Sequence, residues 1–183
     1  MILNSDLNLS HPLWEQADNE LCNNRELGIF NRLVDIYVLA CAIGIKEDKV
    51  IVDIEEPLSS PKTIGRNTHR ENSDIRDLLD FMLQNALINS QTIKLDMDER
   101  LKLAFNPDYN VKQITAANFL TGFANYGLTQ IYENIGSKSP LVVVSELYKY
   151  FESLAESRYD EILKNITLEQ LEDLYICRII LTK

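Results

Sequence analysis

At 183 residues, with 45% hydrophobic and 25% charged side chains, the chain has the size and composition of one folded domain; a chain this long buries its own core without disulfides or metal. Acidic residues outnumber basic ones 28 to 18, for a formal charge of −10. That is the reverse of the balance with which a free-standing nucleic-acid binder neutralises phosphates, so direct nucleic-acid binding is not expected except through a local basic contact.

In chain order, residues 1–11 read as a loose N-terminal arm, and Pro12 to Cys22 as a short helix with Leu13, Trp14, Ala17 and Leu21 on one side. The run RELGIFNRLVDIYVLACAIG, Arg25 to Gly44, is apolar on every face, the pattern of a buried central helix. Gly44 reads as its stop. Asp48 to Ile54, β-branched and bounded by charge, fits a short strand or an extended crossing. Residues 55–72 carry Pro57, Ser59, Ser60, Pro61 and Gly65 and read as a long loop. Ser73 then looks like an N-cap, with Ile75, Leu78, Leu79 and Met82 at helical spacing behind it. A shorter helix is expected from Asp96 to Phe105, ended by Pro107, and a longer one from Val111 to Ile135, interrupted near Gly122 and Gly127. Ser139-Pro140 reads as another helix start, and Thr167 to Gln170 as a capping box opening a last helix. These elements predict a mainly α, compact multi-helix single domain over 1–183, with at most a short strand or hairpin.

Four residues are candidates for binding. Lys62 to Arg70 (KTIGRNTHR) holds Lys62, Arg66 and Arg70 without an acid, with His69 alongside, an arrangement suited to phosphate or carboxylate. The same cations also read as a solvated loop neutralised by Glu55, Glu56 and Glu71, the commoner explanation of a local charge cluster. Asp35 is the only acid in the middle of the apolar run, with Arg32 one turn earlier as its natural partner. From Glu146 to Asp173 there are eight acids and three bases, an acidic surface suited to a basic partner or simply to water.

Other chemistry is not expected. Cys22, Cys41 and Cys177 are far apart with no CxxC pair, and His11 and His69 stand at no ligand-like spacing, so neither a zinc site nor another cofactor is expected. Cys41 and Cys177 sit in apolar runs and read as buried thiols, as in a reducing cytosol. No Walker, GxGxxG, HExxH or GxSxG motif occurs, and Glu47-Asp48-Lys49 is a lone Glu-x-Lys explained equally by a charged turn. The opening residues lack a basic n-region followed by an apolar stretch, and the most apolar run, Ile36 to Ile43, is far below the roughly 20 residues of a bilayer span. A cytoplasmic protein with no membrane association is the expectation.

Two stretches resemble a known family. FNRLVDIYVLACAIGIK, Phe30 to Lys46, is similar to the "aromatic, apolar, Asp, apolar run, Ala-x-Gly" opening of the Dnd system-associated protein 4 family. FLTGFANYGLTQIYENI, Phe119 to Ile135, is similar to that family's later "Ala-Asn-x-Gly-Leu" helix, with matching order and spacing. Those small proteins are encoded beside bacterial DNA phosphorothioation modification and restriction genes. The resemblance implies a setting, anti-phage defence, and a non-catalytic accessory role with protein subunits of the same operon as partners; it transfers no catalytic residue. Two other classes remain open. One is an enzyme acting on nucleic acid or nucleotide, using Asp35 with the Arg66-His69-Arg70 loop. The other is an acidic DNA mimic. The sequence does not set the oligomeric state.

Overall fold

The computed structural model describes residues 3, 5–23, 29–92, 94–106, 109, 115–135, 145–150, 152 and 153. Strand β1 (Leu7–Leu9) leads into α1 (Leu13–Ala17), which continues as one π-helical stretch, Asp18–Cys22. Then follow α2 (Leu33–Glu47), β2 (Lys62–Ile64), α3 (Arg66–Arg70), α4 (Ser73–Asn89), α5 (Met97–Phe105) and α6 (Ala116–Ile135). Among the described residues the architecture is mainly α with one two-stranded sheet, as the sequence predicts. None of the described helices is long and apolar enough to cross a membrane.

The helices α2 and α6 form the centre, and they share the most extensive contact among the described elements. Their approach is closer than side chains allow. A methyl group on Gly44 of α2 would lie 2.2 Å from the carbonyl oxygen of Phe123, and one on Gly127 of α6 would lie 1.9 Å from that of Ala40. Gly44 therefore does not stop α2. It is an interior position where backbone meets backbone, and the helix runs on to Glu47. Asp48 makes the turn instead, in the left-handed conformation with φ 50° and ψ 48°, which a short polar side chain tolerates. Gly127 likewise leaves α6 unbroken from Ala116 to Ile135, so the expected interruption is absent. Gly122 is different: a methyl group there would meet Val50 and Val52 at ordinary contact distances of 3.5 and 3.6 Å.

The described residues among 1–11 are not a loose arm. Leu7 and Leu9 alternate with Asn8, so one face of β1 is buried, and Leu3 is buried as well. β1 pairs antiparallel with β2, Leu7 opposite Ile64 and Leu9 opposite Lys62. The pairing also corrects the long loop over 55–72, whose second half is β2 and α3. Its first half is tied down where Leu58 N–H donates to the Ser10 carbonyl at 2.8 Å. Asp48 to Ile54 forms no strand but an extended crossing over α6; Ile51 N–H donates to the Gly122 carbonyl at 2.9 Å.

The N-cap of α4 is Asn72 rather than Ser73, its side chain accepting from Ile75 N–H at 3.2 Å. Asp96 and Glu99 form a capping box at the start of α5, each side chain accepting from the other's backbone N–H. Residues 145–150, 152 and 153 are helical too. The Ser139-Pro140 helix start, Pro107 as the stop of α5, the capping box at Thr167 to Gln170, Cys177 and most of the acidic Glu146 to Asp173 surface lie outside the described residues.

Candidate functional site

The sequence-predicted basic segment is split between two elements. Lys62 sits in β2, half-buried, with its ammonium 2.8 Å from Asp18 on the π-helical stretch. The hydrogen bond and the charge of Asp18 hold the Lys62 pKa above its ordinary value. Arg66 opens α3 with its side chain exposed, while its backbone N–H donates to Asp6 at 2.7 Å. Gly65 is the N-cap of α3, extended at φ −62° and ψ 141°, and the turn needs no left-handed residue there. His69 and Arg70 belong to α3, and their side chains lie outside the described residues.

Asp35 behaves as its spacing from Arg32 suggests. The guanidinium donates twice to the carboxylate, at 2.8 and 3.3 Å, on the exposed first turn of α2. Asp35 raises the pKa of Arg32 through these bonds and its charge. Beside this pair lies a shallow, open cleft of about 610 Å³ lined by Arg32, Asn67, Thr68, Glu71, Asn72 and Ser73. Neither Lys62, Arg66 nor Asp35 lines it. Among the described residues the cleft is lined by one cation, one acid and four neutral polar residues.

The Glu47-x-Lys49 pair converges on Tyr126 of α6. The Tyr126 hydroxyl donates to Glu47 at 2.9 Å and meets Lys49 Nζ at 3.2 Å, while Lys49 stands 3.6 Å from Glu47. These contacts pin the end of α2 to α6 on an exposed surface. Among the described residues no group of three or more His, Cys, Asp and Glu is placed to hold a metal ion.

Beneath that surface, the motif residues of α6 have structural work. Asn125, buried, accepts from the Trp14 indole N–H at 2.8 Å and donates to the Ile51 carbonyl at 3.1 Å. Thr121 shares a 3.1 Å hydrogen bond with the buried Tyr37 hydroxyl, whose pKa burial pushes well above the ordinary value. Cys41 is fully buried with its thiol against the Leu120 carbonyl, and burial raises its pKa. Cys22 is only half-covered; burial, with the charges of Asp18 and Asp35, pushes its pKa up to about 11. Neither is activated as a nucleophile.

The outer face of α4 and α5 escaped the sequence reading. Phe81 is 65% exposed and Phe105 62%, and Leu78, Ile88, Met97 and Leu101 of the same two helices are exposed as well. The sequence signal was present: apolar residues at 78, 79, 81, 82 and 83 cover more of α4 than one buried face requires. Only Leu79 and Leu83 of these are fully inside. No protein-family model, curated protein or solved structure matches the chain.

Proposed function

We propose that the chain is a non-catalytic accessory subunit of a bacterial anti-phage defence or DNA-modification system, cytoplasmic, and acting by binding other protein subunits of the same operon. The observation that carries this reading is the pairing of its two family-like stretches. Phe30 to Lys46 supplies α2 and Phe119 to Ile135 supplies most of α6, and these helices interlock at Gly44 and Gly127. The glycines of the "Ala-x-Gly" and "Ala-Asn-x-Gly-Leu" patterns are the two that the close approach requires. The two family-like stretches pack as one unit in this chain, which supports a shared fold with the Dnd system-associated proteins.

An exposed apolar face supports protein binding as the mode of action, since contiguous apolar surface on a small domain commonly meets a partner. The test is tagged expression of the chain within its own gene neighbourhood, followed by purification and mass spectrometry. Stoichiometric recovery of a neighbouring gene product is expected; repeated recovery of the chain alone overturns the proposal.

A further inference from the structure

We infer that the outer face of α4 and α5 is a docking surface for a basic amphipathic helix of a partner protein, an inference that rests on the protein-binding reading above and deepens it. Eight large apolar side chains stand out as exposed among the described residues, and six of them belong to these two helices. Scattered exposed apolar residues are ordinary, but this concentration is not scatter. The two helices pack directly on each other. On α4, Leu78, Phe81 and Ile88 recur at spacings of three and seven and trace one flank; on α5, Met97, Leu101 and Phe105 recur every four. Such stripes match the i, i+3, i+4, i+7 anchors of a helix laid along them.

Charge selects the occupant. Asp74 and Asp77 lie seven and four residues before Phe81, so helical geometry places them on the same flank, and both are exposed. Asp77 keeps a 70% exposed side chain although Arg76 approaches it at 2.8 Å. A partner with Lys or Arg beside its apolar anchors gains from these carboxylates. A second copy brings another net charge of −10, and an anionic membrane presents charge of the same sign, so both are repelled.

Two synthetic helical peptides test this against the full chain by calorimetry, one of leucine and lysine, the other of leucine and glutamate at the same spacing. The expected result is leucine–lysine binding at least about tenfold tighter than leucine–glutamate, weakening as salt rises. Phe81→Asp, at the most exposed of these residues, is expected to lower that affinity by about tenfold or more, with thermal unfolding little changed. The added carboxylate would strengthen a purely electrostatic attraction, so the loss reads the apolar docking itself. Val52→Asp, at an exposed apolar residue outside these helices, is expected to leave binding intact. No binding, equal binding of both peptides, or unchanged affinity in Phe81→Asp overturns the inference. So does self-association in sedimentation velocity that Phe81→Asp abolishes, or binding to phosphatidylserine vesicles that it abolishes. Peptide binding without any co-purified operon subunit leaves the surface standing and removes the defence-subunit reading; the converse removes the surface alone.

Discussion

Gly44 and Phe123 touch backbone to backbone: a single methyl group at Gly44 would stand 2.2 Å from the Phe123 carbonyl oxygen. The reciprocal contact of Gly127 with Ala40 makes the α2–α6 crossing a two-point fit. Gly44→Ala and Gly127→Ala each gain about 0.5–1 kcal/mol of helix propensity. They lose more by forcing the helices apart, since overpacking a rigid core costs about 1–3 kcal/mol and backbone cannot swing aside. Net destabilisation is expected for both in urea unfolding. Gly122→Ala is the control: its methyl meets Val50 and Val52 at 3.5 and 3.6 Å, so this variant should match or exceed the parent in stability.

Asn125 joins three segments, holding the Trp14 indole N–H and the Ile51 carbonyl from α6. Asn125→Leu strips both partners at once. Each buried polar group left without a hydrogen bond costs about 1–3 kcal/mol, so a loss of several kcal/mol is expected, unless water enters. Trp14 is the single tryptophan and is fully buried. Its emission therefore reports the site alone, and a red shift in native Asn125→Leu is the expected sign of water at the indole. Emission and stability both unchanged would show that the bond contributes nothing.

Asp48 gives the fold a pH dependence of known sign. Burial pushes its pKa up, but hydrogen bonds from the Ser90 hydroxyl, the Gln91 N–H and Thr92 outweigh it, and the carboxyl lies below its ordinary value. A carboxylate with a depressed folded pKa adds stability that is fully present above its unfolded pKa, about 3.9, and is lost as pH falls through the folded one. Wild type should therefore exceed Asp48→Asn in stability at neutral pH, with the gap closing below about pH 4. Asn tolerates the left-handed backbone, so the comparison isolates the charge. A gap that stays constant down to acid denaturation would contradict this assignment.

Period and caps made most of the helices legible, because apolar spacing at 3.6 residues is a local signal. Asp96 was legible as the start of α5 although its capping box with Glu99 was not read, and the Arg32–Asp35 pair, which needs only residues three apart, was visible. The non-local features were not. Leu7-Asn8-Leu9 is too short to declare itself a strand until Lys62-Thr63-Ile64 lies beside it. Gly44 reads as a helix end from its own neighbourhood, and only the approach of Phe123 explains it. Among the binding candidates, sequence grouped Lys62 with Arg66, whereas the fold gives Lys62 to Asp18 across the chain.

That division yields the last prediction. Lys62 is half-buried and bonded to Asp18, while Arg66 is exposed at the start of α3, so the two cations should respond differently to removal. Lys62→Ala breaks a partly covered ion pair and is expected to cost up to about 1 kcal/mol of stability. Because the Lys62 pKa is raised in the fold, that contribution is fully present below the unfolded value of about 10.4 and disappears as pH rises through the folded one. Arg66→Ala removes an exposed charge and should leave stability within about 0.5 kcal/mol of the parent. If α3 meets an acidic group on a subunit co-purified with the chain, Arg66→Ala should weaken that complex by about tenfold, or 1.4 kcal/mol. The loss should shrink as salt screens the contact. Urea titrations at neutral and alkaline pH separate the two stability effects, and affinity at two salt concentrations reads the binding effect. Unchanged affinity in Arg66→Ala would assign the segment to the solvated surface and leave Lys62 as a structural cation alone.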